Sequence, residues 1–153
     1  MSIFIGGTGS ANELDDYEEG IFTPSFTCTS GSIGVHTSYD TLAYTKIGRL
    51  VHVTGQLVLT NSSSNSGNIV FNGLPFAGAS LSEVSERAFS LNIGYFNGSS
   101  PAGSNHFIFQ LRVLAQGSTT ALMQGIAPND DGSIADWCAN GTDLWFNFTY
   151  FAA

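Results

Sequence analysis

Apolar and polar residues alternate with period two along most of this chain. In "LVHVTGQLVLT" Val51, Val53, Leu57 and Leu59 fall on one face, and His52, Thr54, Gln56 and Thr60 fall on the other. "IFTPSFTCT" places Phe22, Phe26 and Cys28 together, and "NIVFNGLPF" offers Ile69 and Phe71. "AFSLNIGYF" sets Phe89, Leu91, Ile93 and Tyr95 against Ser90, Asn92 and Gly94. "HFIFQLRVL" sets Phe107, Phe109, Leu111 and Val113 against Ile108, Gln110, Arg112 and Leu114. "LWFNFTYF" sets Leu144, Phe146, Phe148 and Tyr150 against Trp145, Asn147, Thr149 and Phe151. This period belongs to strands with one buried face. Between the runs lie Gly/Ser/Asn-rich turns: "TSGSIG", "NSSSNSG", "NGSSPAGSN", "PNDDGS" and "ANGTD". The pattern predicts an all-β chain, an antiparallel β-sandwich of jelly-roll type.

Helical signals are short. "NELDDYEEG" (12–20) and "SLSEVSERA" (80–88) are the two candidates, the second with a Ser-x-x-Glu capping pattern at Ser80 and Glu83. The first twenty residues, Gly-rich and then acidic, do not alternate. They read as an extended N-terminal arm over 1–20, with the sandwich over 21–153. Its apolar residues Ile3, Phe4, Ile5, Leu14 and Tyr17 are the candidates for docking the arm on a partner. Two strands break the polar pattern of their outward face, at Ile108, Leu114, Trp145 and Phe151. A monomer seldom exposes that much, so a subunit interface is expected there, the alternative being a loop folded over them.

In "YTKIGRLVHVTG" (44–55), Gly48 and Arg49 read as a two-residue hairpin turn, with Gly48 supplying a positive φ. Lys46 and Arg49 flank that turn, and His52 points outward beside a cross-strand partner. The hairpin therefore needs no catalytic role.

Composition narrows the function. Of 153 residues, 10% are charged, against about a quarter in ordinary soluble domains. The net charge is −8, with four basic residues against twelve acidic ones, which argues against a nucleic-acid partner. No apolar run approaches the ~20 residues of a membrane helix, and "MSIFIGGTGS" lacks the basic start of a secretory signal. A protein made in a cytoplasm, without membrane insertion, is expected. Cys28 and Cys138 read as buried thiols, with one long-range disulfide as the alternative.

Candidate chemistry is sparse. His36, His52 and His106 form no zinc pattern, and "GGTGSAN" lacks the lysine and the strand–loop–helix setting of a phosphate loop. "ELDDYEEG" reads as a solvated or partner-docking acidic segment. "PNDDGSIAD" fails calcium-loop spacing and reads as a turn. No catalytic residue, metal or cofactor is assigned. Trp137, in a loop after the Asp-rich turn, offers a ring for stacking on a sugar, with Asp136 and Asn140 as hydroxyl partners. Asn97 and Asn105 bound the other polar loop, a candidate glycan contact under the host-attachment role that the resemblance given next implies. The alternative for Trp137 is a cap over the end of the sandwich.

"LDDYEEGIFTPSF" (14–26), "YTKIGRLVHVTG" (44–55) and "GLPF" (73–76), in that order, resemble a β-rich module of tailed-bacteriophage virion proteins. The module is common at the C-terminal ends of tail fibres and related appendages. The resemblance covers 14–76; the remainder matches only in its Gly-rich turns and aromatic last strand. It implies a homotrimeric, non-enzymatic virion component serving host attachment, docked on another virion protein through the arm. The module normally ends a long fibre, whereas here a Met and about a dozen residues precede it. A capsid decoration, cement or head-fibre protein is therefore the alternative, and a glycan-degrading tailspike enzyme the more remote one. Function carried by fold is analogy.

Overall fold

A computed structural model describes residues 3–4, 13–14, 16–79, 88–98, 108–113, 117–126 and 140–153. Every regular element among these residues is a strand: β1 (Ile3–Phe4), β2 (Glu13–Leu14), β3 (Tyr17–Phe22), β4 (Ser25–Val35), β5 (Leu42–Ile47), β6 (Leu50–Asn72), β7 (Ala88–Asn97), β8 (Ile108–Val113), β9 (Thr120–Ile126) and β10 (Asp143–Phe151). All pairings are antiparallel, and the fold is the expected all-β sandwich.

Strand β6 organises it. At 23 residues it far exceeds the usual strand of about 5–6. Its first part pairs with β5 and β10, through Leu50–Gly55 and Leu50–Val58. Its second part pairs with β4 from Leu59 to Asn72 and with β9 from Ile69 to Asn72. Strand β7 divides in the same way, with Ala88–Leu91 on β8 and Leu91–Asn97 on β10. One sheet therefore runs β3-β5-β6-β10-β7 and the other β4-β6-β9-β8, and β6 and β7 serve both. The ring β6-β10-β7-β8-β9 closes on itself, which leaves β3 and β4 as the strands paired on one side.

Alternation fills the interior. Leu42, Val51, Val53, Leu57, Leu59, Ile69 and Phe71 are buried, as are Leu144, Phe146, Phe148 and Tyr150 on the last strand. Phe146, Phe148 and Tyr150 form a column with centroids 6.2 and 6.1 Å apart, and Phe71 meets Phe148 edge-on at 6.0 Å. Each such ring, fully buried, contributes about 1.5–3 kcal/mol of transfer free energy. Within β6 the inward position opposite Leu42 is Gly55. A Cβ there would stand 2.6 Å from Leu42 Cδ2, so the glycine leaves the room that Leu42 fills.

Three expectations are corrected. The helical candidate 12–20 is extended, because Glu13–Leu14 pairs with Ile3–Phe4 and Tyr17–Phe22 pairs with β5. For the same reason the boundary drawn at 20/21 falls inside a strand: Tyr17 to Gly20 lie in the sheet, opposite Ile47 to Tyr44. Tyr95 was expected inward with Ile93 but is exposed. The register shifts at Trp145/Phe146, with Ile93 opposite Phe146 and Tyr95 opposite Trp145, so Gly94 is the extra residue of a bulge. Beyond it the alternation changes phase, and Phe96 packs on the core instead. The helical candidate 80–88 lies outside the described residues up to Ala88, where β7 begins.

Candidate functional site

The residues quoted for the resemblance converge on one corner. Asp16 carries an ion pair to Lys46, whose side chain is largely covered and whose Nζ stands 5.5 Å from the Phe76 ring centroid. Tyr44 donates its hydroxyl to Glu18 at 2.7 Å, and its ring meets Phe76 edge-on at 5.3 Å and Phe22 at 6.3 Å. The ring lies across Gly20, where a Cβ would stand 2.8 Å from Tyr44 Oη. Gly73, at φ 87°, turns the chain into Leu74 and Phe76. The buried Tyr150 hydroxyl donates to the Phe76 carbonyl at 3.1 Å and accepts from the Phe76 amide at 3.2 Å. Burial pushes the Tyr150 phenol well above its ordinary range. The hydrogen bond to Glu18 raises Tyr44, and that to Glu19, at 2.8 Å, raises Tyr17.

The hairpin closes the corner. Gly48 has φ 58°, as its turn requires, and its amide donates to the Asp16 carbonyl at 2.9 Å. Arg49 Nε donates to the Ala152 carbonyl at 3.1 Å, and the Ala152 amide returns a bond to Arg49 at 2.7 Å. His52 faces outward and meets Thr149 Oγ1 at 3.0 Å. The two basic residues of the turn are therefore structural ties between the acidic strand, the hairpin and the last strand.

The outer face of the same sheet is a ladder of aligned side chains. One rung, across β3, β5, β6 and β10, is Tyr17–Ile47–Leu50–Phe151, and all four are exposed. The next rung, Glu19–Thr45–His52–Thr149, is polar. Two rungs further on, Gln56 and Tyr95 flank Trp145, whose ring is half exposed and lies 5.3 Å from that of Tyr95.

The docking residues Ile3, Phe4 and Leu14 lie in a two-stranded pairing with Ile3 opposite Leu14, and Tyr17 lies in the main sheet; Ile5 falls outside the described residues. Of the interface residues, Trp145 and Phe151 are exposed on the outer face, and Ile108 pairs with Ile126 in β8. Leu114 lies outside the described residues. Of the glycan candidates, Asn97 and Asn140 line one polar crevice of about 210 Å³ with Gly98, Gly141 and Thr142. Trp137, Asp136 and Asn105 lie outside the described residues, as does Cys138. Cys28 is half buried, with its thiol donating to the Ser30 carbonyl at 2.9 Å.

Sequence reasoning missed the apolar rung, because Tyr17 had been set in the arm and Ile47 and Leu50 flank a turn. It also missed the hollow beside Trp145. The signal for the hollow was Gly94, an interruption in an otherwise regular strand. Among the described residues no cluster of His, Cys, Asp or Glu is arranged to hold a metal, and no helix is long and apolar enough to cross a membrane.

No family model and no curated protein sequence matches the chain. Among solved structures, the crystal structure of Dettilon tailspike protein (gp208) matches with a TM-score of 0.68 at 16% identity. The match covers 90% of this chain and 24% of that one, so the chain spans about a quarter of the length of that tailspike. At this identity the likeness is one of fold.

Proposed function

We infer that this chain is a subunit of a tailed-phage appendage, a homotrimeric, non-enzymatic virion protein that serves attachment to the host surface. The observation that carries this reading is the fold shared with part of a phage tailspike. The sequence module adds to it, because its separated pieces form one interlocked corner and not four unrelated turns.

The exposed rung Tyr17–Ile47–Leu50–Phe151 supports a subunit face, since four aligned apolar side chains on one sheet face are suited to cover by a second copy. Among the described residues, Asp16, Glu18, Glu19, Asp40 and Asp143 each accept a hydrogen bond from a neighbour within the chain. The pair Ile3–Phe4 and Glu13–Leu14 belongs to the segment that docks on another virion protein.

Antibody-linked gold on intact particles tests the placement. Label at the tail supports the appendage; label spread over the head replaces it with a capsid decoration; no label removes the protein from the particle. Light scattering on the purified chain tests the trimer, with a monomeric mass refuting it. Reducing sugar released from host polysaccharide would refute the non-enzymatic reading.

A further inference from the structure

The outer face carries a second feature, three rungs from the apolar one. Beside Trp145 lies an open hollow of about 390 Å³, lined also by Thr54, Gln56, Gly94 and Asn147. Gly94, the extra residue of the bulge, lines it without a side chain, and a Cβ added there would meet the Trp145 carbonyl at an ordinary 3.7 Å. Trp145 and Tyr95, tilted at 50° to one another, stand as two rings at its edge.

The next rung of the ladder is Asp143 opposite Asn97, about 7 Å along the strand from Trp145. Gln56 Nε2 holds both carboxylate oxygens of Asp143, at 3.0 and 3.2 Å. Past Asp143 lies the polar crevice of Asn97 and Asn140. Rings, an oriented carboxylate and amides thus follow one another along a single strip.

This combination selects a ligand class. A half-exposed indole stacks on the apolar C–H face of a pyranose, and it leaves the sugar's edges free for hydrogen bonds. The carboxylate and the amides accept and donate to hydroxyls. Among the described residues no Lys or Arg lines either hollow, and the chain carries a net charge of −8, which disfavours an anionic ligand. A purely apolar partner would cover Asp143 and Asn147, whose bonds to Gln56 and Asn92 use only part of their hydrogen-bonding capacity.

The geometry points to a binding site for a neutral oligosaccharide, running from Trp145 over Asp143 to Asn97 and Asn140. The site rests on the attachment reading for its purpose but not for its chemistry. It also separates Trp145 from Phe151: the second belongs to the apolar rung that a subunit covers, the first to a groove open to ligand.

The test is direct binding of the purified full chain to an immobilised panel of bacterial oligosaccharides. The panel holds neutral members built from hexoses, deoxyhexoses and N-acetylhexosamines, beside members carrying uronic or sialic acids. The expected result is retention of at least one neutral member, weakened at least tenfold by Trp145→Ala and less by Trp145→Phe. Melting temperatures accompany every variant. Should Trp145→Ala unfold, Asp143→Asn and Asn147→Ala decide, each expected to weaken binding in a folded protein. Failure to retain any neutral member, preference for the anionic members, or affinity unchanged in the folded variants overturns the site. Trp145-dependent binding by a protein absent from the particle upholds the site and overturns the appendage reading alone.

Discussion

Replacing Gly20 by alanine tests the corner at its tightest point. An alanine Cβ would stand 2.8 to 2.9 Å from three atoms of the Tyr44 ring and hydroxyl. Tyr44 cannot swing away freely, because Phe76 and Phe22 flank it and Glu18 holds its hydroxyl. Overpacking of this kind costs about 1–3 kcal/mol. For a chain of this length that lowers the melting temperature by about 3–10 °C. The decisive measurement is the same substitution in a Tyr44→Ala background. With the ring removed, the three close contacts of the Gly20→Ala Cβ are gone, and the lower entropy of the unfolded chain should make it neutral or stabilising by about 0.4–1 kcal/mol. Thermal and urea unfolding of the four proteins close a double-mutant cycle, and the expected coupling is above about 1 kcal/mol. Equal destabilisation in both backgrounds would show that Gly20 is needed for its backbone and not for the room it leaves Tyr44. A neutral Gly20→Ala in the wild type would refute the packing itself.

Other consequences follow from the same contacts. Tyr150→Phe strips the Phe76 amide and carbonyl of a buried partner and should cost about 1–3 kcal/mol in urea unfolding, with little change in the slope. Because the Tyr150 phenol is raised in the folded protein, its contribution is complete below the unfolded value near 10 and is lost as pH rises above that; alkaline titration of stability should flatten in Tyr150→Phe. Asp16→Asn removes the partner of Lys46 at a half-exposed position, so its effect should stay below about 1 kcal/mol and shrink in salt. Gly48→Ala meets no neighbour but must adopt φ 58°, and a loss of about 1 kcal/mol in the same unfolding assay is expected.

The fold was legible where burial is one-sided. On β10 the inward residues Leu144, Phe146, Phe148 and Tyr150 and the outward Trp145 and Phe151 stand where alternation puts them, because a strand in a covered sheet has no other way to hide its apolar half. Legibility failed at positions decided by pairing across the chain. The acidic segment gives no alternating signal, since Asp16 and Glu18 stay exposed while taking partners from Lys46 and Tyr44, about thirty positions away, and Gly20 lies under the Tyr44 ring. Tyr95 failed for a related reason: a one-residue bulge at Gly94 leaves no mark on hydrophobicity but reverses every side chain beyond it. Strand β6 is invisible as a single element because its "NSSSNSG" segment has the composition of a loop.

The candidate site was only half legible, and the reason bears on how this protein works. Cationic side chains are the natural place to look for binding chemistry in a chain that holds four of them. Two of the four, Lys46 and Arg49, sit in one hairpin, and both are consumed by the fold: one by Asp16 and the Phe76 ring, the other by the last carbonyls of the chain. That tie fixes β3, the hairpin and β10 against one another. Along the outer face that these strands share, apolar, polar and aromatic rungs follow in order. A weakly ionic face recognises a ligand by shape, stacking and hydroxyl hydrogen bonds, with little long-range attraction. Saccharide retention by this protein should therefore change little between low and high salt, and strong suppression by salt would place the binding on cationic groups, none of which lines either hollow among the described residues.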